Sequence, residues 1–272
     1  MIEVRGLVHV YPDGTRAVDG VDLRVEDGER LAIIGQNGSG KSTLVRHLNG
    51  LLRPSSGEVL IDGRPTADQR VAELAAQVGL VFQDPDRQIF AGRVRTEVAF
   101  GPRNLGVRGG ALDAAVSGAL AAVGLAELAD RNPYDLGFSK RKLLALASVL
   151  AMGTPSVVLD EPTTGQDLRG VERIQALVAD LHAAGRTVIA ISHDMRFVAE
   201  TFGRVVVMEA GRVTLDGTPS EVFAAVNWAA LARTYVEPPL ASRIGAKLGV
   251  GSTPTDRALV EAIVAKRERR LI

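Results

Sequence analysis

Nine residues, Gly35-Gln36-Asn37-Gly38-Ser39-Gly40-Lys41-Ser42-Thr43, carry the spacing G-x-x-x-x-G-K-[ST]. Glycines at those intervals let backbone N–H groups converge on phosphate oxygens where a side chain would block the approach. In this motif the lysine, here Lys41, reaches the β- and γ-phosphates of a nucleotide, and the hydroxyl of Ser42 ligates Mg²⁺. A second group, Asp160-Glu161, ends the apolar run Val157-Val158-Leu159. Adjacent acids at a buried strand end raise each other's proton affinity, which makes them a poor structural choice. As chemistry they suit phosphate hydrolysis: Asp160 holds Mg²⁺ through water, and Glu161 orients and deprotonates the attacking water. Gln83 and His193 each follow a further apolar run. Alone, either would read as a solvated or capping side chain; at a strand end beside a phosphate loop, each can face the γ-phosphate, and the Gln83 amide can touch both Mg²⁺ and water.

These residues need a sheet whose strands deliver them to one edge, since ligands of open α/β sheets sit beyond the carboxyl ends of the strands. Leu31-Ala32-Ile33-Ile34, Val78 through Phe82, Val157 through Leu159 and Thr187-Val188-Ile189-Ala190-Ile191 are short apolar runs suited to strands buried on both faces. A helix from Thr43 to Leu48 follows the loop and ends near Gly50 and Pro54. Ahead of the loop, Ile2 and Val4, Val8 and Val10, and Val21, Leu23 and Val25 alternate with polar residues around two Asp-Gly turns, which predicts a small antiparallel sheet joined later by Val59-Leu60-Ile61. Tyr11 stands at its first turn, where a ring can stack on a purine or pack on sheet neighbours.

Residues 96–152 carry a helical pattern broken at Pro102, Gly109-Gly110 and Pro133, ending in a run from Leu143 to Met152 that is apolar on nearly every side. Asp167 opens a helix to about Ala184, a hairpin turns at Ala210-Gly211, and Thr218-Pro219-Ser220-Glu221 has the residues of a capped helix start. The expected fold is α/β: a P-loop NTPase core with a mostly parallel sheet, an N-terminal antiparallel β subdomain and an inserted helical subdomain.

Composition narrows the function. The 272 residues hold 32 basic and 32 acidic side chains, so no global field draws the protein to nucleic acid. The absence of cysteine excludes disulfides, thiolate metal sites and cysteine nucleophiles, and is compatible with a reducing cytoplasm. The start lacks the residue order of a signal peptide. The longest apolar run is about half of the roughly 20 residues that span a bilayer, so work at a membrane would need partner proteins.

In this order the motifs resemble the nucleotide-binding subunit of an ABC transporter over residues 1–225, within which about 96–152 form the helical subdomain. The resemblance implies ATP and Mg²⁺ as cofactors. It matches Tyr11 to the adenine-stacking aromatic, residues 35–43 to the Walker A loop and Gln83 to the Q-loop glutamine. Asp160 matches the Walker B aspartate, Glu161 the catalytic glutamate, Asp167 the D-loop aspartate and His193 the switch histidine. A narrower resemblance, to the energy-coupling factor ATPases that drive cobalt, nickel and vitamin import, rests on Tyr11-Pro12-Asp13-Gly14, on residues 82–90, on Ala99-Phe100-Gly101-Pro102 and on residues 160–167. The tail, 226–272, with Glu237-Pro238-Pro239 and an expected helix over 256–270, is similar to the C-terminal extension of that group. Its basic end, Lys266-Arg267-Glu268-Arg269-Arg270, suits either the dipole of its own helix or an anionic lipid surface.

The resemblance implies a second ATPase subunit, a polytopic membrane coupling subunit and a substrate-binding membrane component, with the chain peripheral on the cytoplasmic face of the cell membrane. Arg87 and Phe90 are the expected contacts to a membrane-subunit helix. One motif departs from the family: Leu136-Gly137-Phe138-Ser139-Lys140 stands where the signature Leu-Ser-Gly-Gly-Gln clamps the γ-phosphate bound to the partner ATPase. Gly137 occupies the serine position, and Ser139 with the helix N–H groups could compensate only in part. A heterodimer with a signature-intact ATPase is therefore favoured over a homodimer. The competing readings are a soluble ABC ATPase of DNA repair or translation and a non-hydrolysing regulatory subunit.

Overall fold

The chain, analysed as a computed structural model, is described over residues 1–268; the expected last helical residues Arg269 and Arg270 lie outside the described residues. It runs β1 (Ile2–Val10), β2 (Arg16–Val25), β3 (Arg30–Ile34), α1 (Lys41–Leu48), β4 (Ser56–Ile61), β5 (Arg64–Pro65), α2 (Val71–Ala75) and β6 (Val78–Val81). Then come α3 (Val94–Asn104), α4 (Gly109–Ala122), α5 (Phe138–Leu150), β7 (Ser156–Asp160), α6 (Leu168–Ala183), β8 (Thr187–Ile191) and α7 (Met195–Thr201). The end is β9 (Arg204–Glu209), β10 (Arg212–Gly217), α8 (Pro219–Val222), α9 (Trp228–Arg233), α10 (Leu240–Leu248) and α11 (Asp256–Glu268).

Two sheets form. The N-terminal one is antiparallel, in the order β2-β1-β4-β5, and the larger has the order β10-β9-β3-β8-β7-β6 with every neighbour parallel except the β9–β10 hairpin. The apolar runs of the larger sheet are explained by its two covered faces. Ala32, Ile34, Val157, Leu159, Val188 and Ala190 point to the core shared with α3 through α7, while Leu31, Ile33, Val158, Ile189 and Ile191 point to the core shared with α1 and the antiparallel sheet. A period of two along each strand thus feeds two cores.

The helical region differs from the sequence expectation at two places. Pro102 does not break its helix; it sits in the last turn of α3, which ends two residues later, so the ring forfeits one hydrogen bond where the ladder is already closing. Gly109-Gly110 opens α4 instead of separating two helices, with Gly109 at φ +56° making the entry turn. At the far end, Lys266 donates from Nζ to the Leu248 carbonyl at 2.5 Å, so this basic residue serves the C-terminal end of α10 as well as lying at its own.

Leu144, fully buried on α5 in the core that backs the carboxyl edge of the larger sheet, marks how much that edge depends on packing. Leu144→Ala is expected to cost about 2–5 kcal/mol of stability, read as a lower urea midpoint with an unchanged slope.

Candidate active site

The phosphate loop is built by close approach of backbones. At Gly35, φ +140°, a Cβ would stand 2.2 Å from the Met208 carbonyl oxygen; at Gly40, φ +100°, it would stand 2.2 Å from that of Ala17. Only glycine fits either place. The loop then enters α1 at Lys41, and the first-turn residues Lys41, Ser42 and Thr43, whose N–H groups have no intrahelical partner, line the concavity. Lys41 is buried, and its Nζ donates to the carbonyls of Gly35 at 2.7 Å and Gln36 at 2.8 Å. Burial pushes its pKa down, against the opposing pull of Glu161 and Asp160.

The sheet order places β7 beside β8 and β8 beside β3, so the ends carrying Asp160-Glu161, His193 and the phosphate loop are neighbours. Asp160 and Glu161 are 5 % and 4 % exposed. Burial raises the pKa of Asp160, with the Ser42 hydroxyl and Arg46 opposing. Glu161 is pushed up to about 7, first by burial and then by the neighbouring Asp160 charge, while the His193 N–H, Lys41 and Lys142 hold it down. That N–H donates to Glu161 Oε2 at 3.2 Å. His193 Nε2 lies 3.1 Å from Oε1, off the angle of a hydrogen bond, which leaves Oε1 without a donor. Burial also lowers the pKa of His193, with the Lys41 charge adding to it, so the ring favours its neutral form.

A cavity of about 390 Å³ gathers Tyr11, Asn37, Gly38, Gly40, Lys41, Ser42, Thr43, Gln83, Asp160, Glu161 and His193. Two residues expected in the site, Gly35 and Ser39, are buried behind this wall, where they shape the loop instead of lining it. Tyr11 is fixed by its hydroxyl, 3.1 Å from the Thr43 hydroxyl, and by an edge contact with the His9 ring. Asp167 caps α6, accepting from the Gly170 N–H at 2.8 Å, outside the cavity lining. Sequence reasoning missed Thr15, Arg16 and Ala17, which also line the cavity, Ala17 lying against the loop at Gly40. The Pro12-Asp13-Gly14 turn was the available signal: it returns the chain so that the Tyr11 N–H meets the Thr15 carbonyl at 2.9 Å.

The acid residues fit a nucleotide-borne Mg²⁺. Asp160 Oδ1 is buried with no hydrogen-bond partner, beside the Ser42 hydroxyl, and such an orphaned anionic oxygen is satisfied by a hard cation or its water. In the signature region, Ser139 lies inside the first turn of α5 and its Oγ donates to Gln166 Oε1 at 2.8 Å. Its hydroxyl is thus engaged within the chain.

A phosphate loop on the central strand, with paired acids and a histidine on the adjoining strand ends, defines a P-loop nucleotide hydrolase. The ABC transporter profile matches residues 18–164, more than half of the chain. The chain is 43% identical over 225 residues, 82% of its length and 72% of the relative's, to the energy-coupling factor transporter ATP-binding protein EcfA of Methanothermobacter thermautotrophicus. Its fold matches the solved structure of cbiO1 from Clostridium perfringens, part of the ABC transporter complex cbiONQ, with a TM-score of 0.75, 37% identity, and coverage of 91% of this chain and 98% of that one. It also matches an ATP-binding cassette dimer bound to ADP and phosphate, with a TM-score of 0.74, 26% identity, and coverage of 80% and 98%. The chain belongs to the ABC transporter ATPase family and is an ATP-hydrolysing subunit of that class.

The raised Glu161 pKa has a measurable consequence. Between its ordinary 4.5 and about 7, the folded chain keeps a proton that the unfolded chain has released, so stability falls as pH rises through this window. Glu161→Gln cannot ionise and escapes the loss. Without nucleotide, the variant is expected to melt above the wild type at pH 8, by up to roughly 3 kcal/mol at about 1.4 kcal/mol per pH unit, and the gap should close toward pH 5. Calorimetric melting across that range checks it.

Proposed function

We propose that this chain is the ATP-hydrolysing subunit of an energy-coupling factor type importer, driving uptake of a metal ion or vitamin through partner membrane proteins. The carrying observation is the single cavity that brings Lys41, Ser42, Asp160, Glu161 and His193 together, in a chain similar to EcfA and cbiO1. In this reading residues 1–225 are the nucleotide-binding domain, with the helical part at about 96–152, and 226–272 form a C-terminal extension.

Tyr11 stacks on the base, while the loop N–H groups and Lys41 hold the phosphates. Ser42, Gln83 and Asp160 would hold Mg²⁺, which would supply neutralisation of charge on the transferring phosphoryl group. Glu161, with a pKa near neutrality, accepts the proton of the attacking water, and the His193 N–H keeps its carboxylate in place. His193 also faces the γ-phosphate. Binding of ATP between this loop and a partner's signature closes the dimer, and hydrolysis reopens it.

A second concavity, of about 260 Å³ and largely apolar, supports the membrane connection. It joins Leu51, Phe82, Gln88, Phe90, Phe100 and Met152, with Phe90 58% exposed and edge-on to Phe100 at 4.7 Å between ring centroids. A cytoplasmic helix of a membrane subunit fits this groove. Phe90 is the apolar anchor, and Arg87, exposed and 3.8 Å from Asp84, lies nearby in sequence as a polar contact. Among the described residues no helix is long and apolar enough to cross a membrane. In this reading the chain is held peripherally, on the cytoplasmic face, by the partners that span it.

The altered signature supports a heterodimer. With Gly137 at the serine position and the Ser139 hydroxyl tied to Gln166, the partner's nucleotide meets a weakened clamp, whereas this chain's own site is completed by an intact partner. Affinity purification of the chain from detergent-solubilised membranes tests the reading. Recovery of polytopic membrane proteins together with a second, signature-intact ATPase is expected. Recovery of the chain alone, or with ribosomes or nucleic acid, would move the soluble ATPase to the front.

A further inference from the structure

The first turns of α5 grip the loop 161–167 of the same chain at three places. Lys142, 4% exposed, donates from Nζ to the Glu161 carbonyl. Phe138 lies against Gly165, where a Cβ would stand 2.8 Å from the ring, and the Lys142 ammonium is 5.9 Å from the centroid of the same ring. Ser139 and Gln166 exchange hydrogen bonds, Oγ to Oε1 at 2.8 Å and Nε2 to the Ser139 carbonyl at 3.1 Å.

Glu161 itself stands at φ +52°, a left-handed conformation in which a non-glycine residue crowds its own carbonyl. Such backbone persists only where its surroundings over-determine it, and it concentrates at functional sites. The amide side is fixed by the Glu161 N–H, which donates to the Ile191 carbonyl at 2.9 Å. The carbonyl side accepts from Lys142 and, at 3.4 Å, from the Thr164 N–H of the same turn. With a neutral backbone donor already at that carbonyl, a buried ammonium is a costly addition if packing is its only role.

We propose that Lys142 is a positioning residue for Glu161: its ammonium holds the carbonyl of the left-handed turn and so aims the carboxylate into the phosphate cavity. The start of α5 and the acid of the same chain then move as one body. This rests on the reading of Glu161 as the base, and the test separates the two.

ATP hydrolysis is measured on the complex purified with its partner chains, for Lys142→Met, Lys142→Arg and Glu161→Gln, with melting temperature and Mg-ATP affinity recorded for each. Lys142→Met is expected to lose about 10²-fold in kcat, the scale of a small misplacement of a catalytic group, with KM and melting temperature unchanged. Lys142→Arg, which keeps a charged donor, should restore most of the rate. Wild-type turnover by Lys142→Met beside an inactive Glu161→Gln would overturn the proposal. So would an equal loss in the Met and Arg variants, or a KM that rises in proportion to the loss. A Glu161→Gln complex that still hydrolyses ATP would instead remove the Glu161 reading itself. Should Lys142→Met fail to fold, Lys142→Gln takes its place under the same criteria.

Discussion

Three charged side chains, Lys41, Asp160 and Glu161, each no more than 5% exposed, share the carboxyl edge of one sheet, and two of their oxygens have no hydrogen-bond donor. Burying unpaired charge opposes folding. The edge is tolerable because two fully packed cores hold β3, β7 and β8 rigidly from both faces, leaving the strand ends no way to splay and rehydrate. Raised proton affinity at Asp160 and Glu161 is the same fact in another form. A site kept out of its electrostatic optimum is prepared for an anionic phosphate with its cation, which supply the missing partners.

The loop that follows the acids ties this edge to the rest of the molecule. Its start is hydrogen-bonded to β8 and to Lys142, its middle packs on Phe138, and its end supplies the cap of α6 through Asp167. On the other side of α5, Gln88 donates to the Ala145 carbonyl at 2.9 Å and accepts from the Phe82 N–H at 3.2 Å, and Arg141 pairs with Asp86 at 2.8 Å. One helix therefore touches both the segment behind the apolar groove and the loop that begins at Glu161. Rigid-body movement of α5 would be felt at both.

Much of this was legible in the sequence, for physical reasons. Strands buried on both faces must be apolar throughout, so Val157 to Leu159 and Thr187 to Ile191 announce themselves and place Asp160, Glu161 and His193 at one edge. The phosphate loop is legible because its glycines answer to backbone contacts, at Gly35 and Gly40, that no other residue survives. Less was visible where the cause is tertiary. Lys142 immediately precedes the apolar run, and nothing local marks it as buried against a carbonyl 19 residues away. The Ser139–Gln166 exchange spans 27 residues with no periodic signature. Pro102 read as a break because local propensity takes no account of where the helix is about to end. In the tail, α9 and α10 are short and their caps carry no side-chain hydrogen bond, so little in the local residues marked them.

The central claim is that the cavity built on this chain's own phosphate loop turns ATP over. Orthovanadate trapping with a photoreactive ATP analogue tests it on the complex isolated with its partner chains, by asking which ATPase polypeptide carries the trapped label. Label on this chain, abolished by Lys41→Ala, is the predicted result. Label confined to the partner, with this chain unmarked and Lys41→Ala without effect, would contradict the account.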